Sequence, residues 1–421
     1  MINQDNLAHT LAKLEAWLQT MRQTGGYGGP VSHWWQNRFR YTGPGLDWRY
    51  EGILSGYALL LEKTGSAKWS TALQNAATDL LIGQQPDGAY SASCFERNPD
   101  ILGTPHEAAA TLGLLRARHY LDSEEILAVA KRNLDNLMSR LWDGESFNDK
   151  PGIKGRVPNK LATFAQALLT FGEASGDDSY LFYARAALED VLRFQVRKGQ
   201  HAGAVHQYAP DARTGDGRFF PYYAARCVPP LLQGSKLFNE PRYRVAAEEI
   251  GQFLERTKKP DGSWIQVAYQ GGGTAAWPRW LAGCADILLA YHSLGKPLPA
   301  ASLDRLLASQ LPSGGFPTAQ GFARRDGVVH LSPPDFRDLT PVVGWNDKVF
   351  RLFAELLEPA TPLPEAVVAE VHQHVRASGQ LATLHEDSTS LSLTSAQGSV
   401  LYLWSKSEPW ARMVSEGVDS R

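Results

Sequence analysis

Residues 80–90 read LLIGQQPDGAY: the apolar end of a helix, a polar turn, a glycine and an aromatic. The figure recurs on both sides of it. It stands as LEAWLQTMRQTGGYGG at 14–29, LMSRLWDGESF at 137–147 and VLRFQVRKGQHAGAV at 191–205. It returns as FLERTKKPDGSW at 253–264 and LLASQLPSGGF at 306–316. Six copies at a period of roughly 50 to 65 residues suit a unit of two helices and two loops.

After each turn and a loop comes a second, more apolar helix. These helices begin near Asp47, His106, Asn159, Pro221, Pro278 and Trp345, and they are rich in Ala, Leu and Gly nearly all round, as buried helices are. The helices before the turns, such as 68–83 and 124–142, carry charge on one face and belong outside. Twelve helices alternating outer and inner predict an all-α (α/α)6 toroid over residues 1–358, since six hairpins close a ring. Beyond it, 359–421 is expected to be an extension packed on the toroid. It comprises a linker (EPATPLP, 358–364), a short helix at 365–377 and a β-hairpin within 380–406, where Ser and Thr alternate with apolar residues.

Inner-to-outer turns are short (TGSAKW, LDSEE, SGDDSY, FNEPRY, LGKPLP). Outer-to-inner loops run to about 15–30 residues, and loops of that length usually carry function. The face where the inner helices start is therefore the elaborated one.

Composition narrows the choices. Of 421 residues 43% are apolar, so a large core forms and global disorder is excluded. Lys plus Arg (42) nearly balances Asp plus Glu (44), which argues against nucleic acid as a partner. Cys94, Cys227 and Cys284 are too few and too scattered for a disulfide framework or a CxxC metal site. His201 and His206 in HAGAVHQY lack a third ligand at useful spacing, so no metal or cofactor is expected. The amphipathic start and the lack of a long apolar run predict a cytoplasmic protein without a membrane span.

Inner-helix N-termini point their unpaired N–H groups toward one bowl. The first turns supply Asp47, Trp48, Arg49 and Glu51, then His106 and Glu107, then Lys160. They continue with Tyr222, Tyr223 and Arg226, with Trp277, Arg279 and Trp280, and with Trp345, Asn346, Asp347 and Lys348. Asp47 and Asn346 also fit capping. Cations do not, because the helix dipole disfavours them at a helix start, and an anionic ligand would give Arg49, Lys160, Arg279 and Lys348 a reason to be there. The first loop, SHWWQNRFRYTGPGLDWRYE (32–51), adds His33, Trp34, Trp35 and Arg40, a platform for a flat sugar face. The longest loop, with Arg324, Arg325, His330, Asp335 and Arg337, could act as a lid.

The turns QQPDGAY, KKPDGSW and LPSGGF resemble the repeats of the α/α-toroid superfamily. That group holds terpenoid cyclases and protein prenyltransferases, with six-hairpin glycosidases, polysaccharide lyases and sugar epimerases as neighbours. The resemblance covers roughly residues 4–358 and implies the fold only. The cyclase acid motif DxDD is missing, and Asp177-Asp178 in SGDDSYLFY lacks the third Asp of DDxxD. Cys284 and His292 lie two turns apart within one helix and make no prenyltransferase-like zinc site.

The expectation is a carbohydrate-active enzyme taking an anionic, uronate-like glycan. For glycosidic cleavage, which needs two carboxyls, the candidates are Glu51, Glu107 and Asp347. For elimination or epimerisation, His106 or Tyr223 would move the proton while Arg49 or Arg279 neutralises a carboxylate. Two alternatives stand beside it: a terpenoid cyclase-like enzyme without DxDD, and a non-catalytic glycan-binding protein of polysaccharide assembly.

Overall fold

A computed structural model describes residues 2–31, 40–91, 104–321 and 339–377, and four strands between residues 383 and 413. The outer helices are α1 (Gln4–Thr20), α3 (Ala67–Gly83), α5 (Ser123–Leu141), α7 (Ser179–Arg193), α10 (Pro241–Thr257) and α12 (Ala300–Ala308). The inner ones are α2 (Arg49–Thr64), α4 (Ala108–Ala117), α6 (Pro158–Ser175), the pair α8 (Pro221–Ala225) and α9 (Val228–Leu237), α11 (Cys284–Ser293) and α13 (Val343–Leu356). Each inner helix packs on the next, and α13 packs back on α2, so the ring is closed. This is the expected all-α (α/α)6 toroid.

The repeated turn is what ties the outer wall together. Gln84 Nε2 donates to Val129 O on α5, Gln195 Nε2 to Ala246 O on α10, and Gln310 Nε2 to Thr10 O on α1. The turn glycine lies against the same neighbour. A Cβ on Gly88, Gly203, Gly262 or Gly314 would fall on the backbone of Arg132, Glu249, Ala301 or Lys13. The last of these contacts joins the sixth turn to the first helix and seals the seam. Inside, Gly52 and Gly56 admit α13: a Cβ at either would strike Asp347 O or the Phe350 ring.

The inner-helix starts differ from expectation in two repeats. The fourth inner helix is broken at Arg226–Cys227, because Pro229 and Pro230 lack the N–H groups that would continue α8 into α9. The fifth starts at Cys284 and not at Pro278; Arg279–Trp280 instead pairs with Ala319–Gln320 as a two-stranded ladder. Asn346 is no cap. Its amide accepts from Phe316 N (2.7 Å) and donates to Phe316 O (2.8 Å), clamping the sixth turn to α13.

Beyond the ring, α14 (Val367–Ala377) packs on α1, where Lys13 Nζ meets Glu370 Oε1 at 2.7 Å. The expected hairpin is part of a four-stranded antiparallel sheet made by Thr383–Glu386, Ser390–Thr394, Val400–Ser405 and Ala411–Met413. Among the described residues, no helix is long and apolar enough to cross a membrane.

Candidate functional site

The first turn of α2 turns Glu51 toward the ring axis, where it is 1% exposed. Four cations close on its carboxylate. Arg226 Nη2 donates to Oε2 at 2.7 Å, and Lys348 Nζ lies 3.4 Å from the same oxygen. Arg116 Nη1 and Arg351 Nη1 both donate to Oε1, at 3.1 and 3.2 Å. Arg226 also donates to Thr163 Oγ1 (3.1 Å) and pairs with Asp286 (3.3 Å). Lys348 donates to Trp48 O (3.0 Å) and to Asp347 Oδ2 (2.5 Å), which also accepts from Gly52 N (3.0 Å). Every inner helix thus sends a polar group to one axial cluster.

The cluster splits its two central carboxyls. Burial alone would raise Glu51, but Arg226, Lys348, Arg116 and Arg351 hold it well below the ordinary carboxylate range. Asp347 is pushed up to about 8 by burial; Lys348 opposes the rise, while Glu51 and Asp286 add to it. Asp347 Oδ1 is buried with no hydrogen-bond partner among the described residues.

An aromatic layer lies against this cluster. Trp48 stands edge-on to Trp345 at 5.4 Å between ring centroids, and Lys348 Nζ sits 4.9 Å from the Trp48 ring. Trp345 meets Tyr222 at 5.0 Å, and Tyr222 stacks on Trp280 at 5.3 Å. Trp48, Trp280, Trp345 and Tyr222 are buried, whereas His106, 5.4 Å from Trp48, and Tyr223, 5.1 Å from Tyr222, are only partly so. Burial, and then Arg226, Lys348 and Lys160, hold the His106 imidazole well below its usual value, so it is neutral at pH 7.

Of the expected site residues, the structure brings Glu51, Arg226, Asp347 and Lys348 together on the axis, with Trp48, His106, Tyr223, Trp280 and Trp345 around them. It turns others elsewhere. Glu107 Oε1 accepts from Asn133 on outer helix α5 (3.2 Å) and faces the outer wall, not the axis. Arg49 grips Asp47 with Nε and Nη2 (2.8 and 3.0 Å) and donates to Tyr27 O, tying α2 to the first turn. Lys160 pairs with Asp149 at 2.7 Å. Arg279 pairs with Asp261 and lies over the Trp277 ring at 4.0 Å. The first-turn cations therefore already have carboxylate partners within the chain. His33, Trp34, Trp35 and the lid candidates at 324–337 lie outside the described residues; Arg40 stands in a described strand, Arg40–Thr42.

Arg116, Asp286, Arg351 and Thr163 were not among the expected site residues. Three of them carried a readable signal: an ionisable group inside an almost wholly apolar helix (LGLLRARHY, CADILLAYH, VFRLFAELL) must find a buried partner.

No family model matches the sequence, and no curated protein matches it. Solved structures do resemble it. A cellobiose 2-epimerase from Bacillus thermoamylovorans superposes with a TM-score of 0.62 at 12% identity, over 83% of this chain and 99% of that one. A D-mannose isomerase gives 0.62 at 14% identity, over 84% and 98%. An unsaturated glucuronyl hydrolase specific for heparin gives 0.59 at 12% identity, over 84% and 98%. At such identities the likeness is one of fold, and it agrees with the closed ring: the chain has a six-hairpin α/α-toroid fold.

Proposed function

We propose that this protein is a carbohydrate-active enzyme that holds a sugar against the aromatic layer and moves a proton on it, as an epimerase, isomerase or eliminating enzyme does. The observation that carries this is His106: a neutral imidazole, on a residue only partly buried, beside the Trp48 ring and within the field of Arg226 and Lys348. A neutral imidazole is ready to take a proton from carbon next to a carbonyl or carboxylate. Arg226 and Lys348, which add to burial in keeping it neutral, also favour the enolate oxygen that such a step creates. Tyr223, also only partly buried, is the candidate for returning a proton from the opposite side. The proteins that share the fold include, by their names, an epimerase and an isomerase of sugars.

Hydrolysis is a second reading, favoured by Asp347. A carboxyl raised to about 8 beside an ionised Glu51 is the unlike pair that acid catalysis of glycosidic cleavage uses. It is the weaker reading, because Glu51 is engaged by four cations and Glu107 faces the outer wall. An anionic substrate loses the support first given to it, since Asp47, Asp149 and Asp261 pair the cations that suggested it. The cations below the aromatic layer, with Arg226 and Lys348 buried, also disfavour a carbocation, and with it cyclase chemistry.

The test is incubation of the protein with reducing mono- and disaccharides in D2O, followed by NMR. Deuterium entering the carbon next to the carbonyl, and lost in His106→Gln, is the expected result. Release of new reducing ends without exchange would overturn the proton-transfer reading in favour of hydrolysis.

A further inference from the structure

The axial cluster has two ends. Glu51 Oε2 faces Arg226 and Lys348 on the bowl side. Oε1 faces Arg116 and Arg351. Arg116 stands in the last turn of α4 and Arg351 in the second half of α13, so both belong to the mouth where inner helices end. The exposures follow that order. Lys348 and Glu51 side chains are 0% and 2% exposed, whereas Arg116 and Arg351 reach 20% and 16%. Water therefore meets the cluster at this far mouth.

Charge does not balance there. Among the described residues, the cluster holds four cations, Arg116, Arg226, Lys348 and Arg351, against the carboxylates of Glu51 and Asp286 and the carboxyl of Asp347, which at about 8 keeps its proton at pH 7. Asp286 is paired with Arg226 and Asp347 with Lys348. Arg116 and Arg351 share the one oxygen that Glu51 has left for them. Their nitrogens, 3.1 and 3.2 Å from that oxygen, can be no farther apart than the sum of those lengths. Like charges that close repel unless an anion joins them. Each guanidinium spends one N–H on Glu51, and the others have no protein partner among the described residues. Among the described residues, Glu51 is the one carboxylate within ion-pair distance of either guanidinium. Burial, and then the Arg351 charge, pull the Arg116 guanidinium down to about 9 against the opposing pull of Glu51.

We propose that the far mouth of the ring, between Arg116 and Arg351, is a binding site for a compact oxyanion, a phosphate or sulfate group, distinct from the bowl. Two guanidinium forks offer parallel N–H pairs to a tetrahedral anion, a match that a point charge would not give. The bound anion takes over part of the load now carried by Glu51 Oε1, so binding stabilises the closed ring. The ligand reaches the site without passing the aromatic layer.

The experiment is thermal unfolding of the full chain in potassium phosphate, potassium sulfate and potassium chloride at equal ionic strength. The expected result is a saturable rise of a few degrees in phosphate and sulfate beyond that in chloride. The rise should vanish in Arg116→Gln and in Arg351→Gln and partly return in Arg351→Lys. Glycerol 2-phosphate separates the sources: a rise with it means that the mouth admits a phosphate ester, and a rise with inorganic phosphate alone means a free ion. Selenate soaked into crystals of the unaltered protein gives a check independent of the variants' folding. A peak within hydrogen-bond distance of both guanidiniums is expected. Selenate bound only in the bowl, or a phosphate rise that persists in both Gln variants, would overturn the proposal.

Discussion

Arg226 Nη2 lies 2.7 Å from Glu51 Oε2, a contact that spans 175 residues of sequence and joins the first inner helix to the break in the fourth. The break at Pro229 and Pro230 frees the chain to turn the Arg226 guanidinium inward toward Glu51 and Asp286. The polar centre of the ring is thus assembled by helix ends and irregularities, while the regular turns of the same helices supply the apolar packing.

This centre predicts a large cost for removing its one shared anion. Glu51→Gln leaves four cations facing each other, and breaking its buried pair with Arg226 from one side costs about 3–5 kcal/mol. Arg279→Gln breaks a pair whose partner, Asp261, is 41% exposed, and should cost under about 1 kcal/mol. Urea unfolding of both variants decides. Similar losses would mean that the axial cluster is not the electrostatic keystone of the ring.

Asp347 predicts a pH dependence of opposite sign to the usual carboxylate. Its folded value, about 8, lies above the ordinary aspartate value of 3.8, so between those two the folded chain holds a proton that the unfolded chain has released. Stability then falls as pH rises through this window, by up to about 1.4 kcal/mol per pH unit. Glu51, lowered in the fold, works the other way: its contribution is present above the unfolded value and lost as pH falls through the folded one. Asp347→Asn should flatten the slope between about pH 4 and 8. An unchanged slope would show that Asp347 is already ionised there against Lys348.

The ring was legible because its signal is repeated: Gln84, Gln195 and Gln310 do the same work against three different helices, and one period of sequence exposes it. The site was less so. Glu51 and Glu107 both stand at inner-helix starts, yet they face opposite walls. A 3-10 turn at Pro105–Glu107 shifts the phase of the second helix, and composition does not record that shift. Arg116 and Arg351 lie beyond the first turns, where a charge is visible in sequence but its partner is not. The axis is a meeting of six segments, and only the closed ring says which of their side chains share a centre.

His106 predicts an unusual acid limb. Burial first, then Arg226, Lys348 and Lys160, lower its imidazole, so kcat/KM for the proton transfer should hold at pH values well below 6.5. Lys160→Met removes one of the three cations and leaves Asp149 unpaired, which raises the imidazole and moves the limb to higher pH. A limb that stays in place, with kcat lowered at all pH values, would assign Lys160 to substrate contact instead.

The seam of the ring can be tested with two glycines of the same turn type. Gly314 has φ +91° and Gly144 has φ +100°, so alanine at either is held in a backbone region that side chains rarely adopt. That strain is of order 1–3 kcal/mol and is common to both. Their surroundings differ. Nothing lies within 4 Å of a Cβ on Gly144, whereas a Cβ on Gly314 falls on the Lys13 carbonyl of α1. Relieving that clash pushes the sixth turn away from the first helix and loosens Gln310 from Thr10 O. Gly314→Ala should therefore lose about 1–3 kcal/mol more than Gly144→Ala, the usual cost of overpacking a tight contact. The two variants share backbone strain, so the difference between their unfolding midpoints reads the seam alone. Equal midpoints would show that the sixth turn and α1 part at no cost, and that the ring is held shut by the inner contact of α13 with α2.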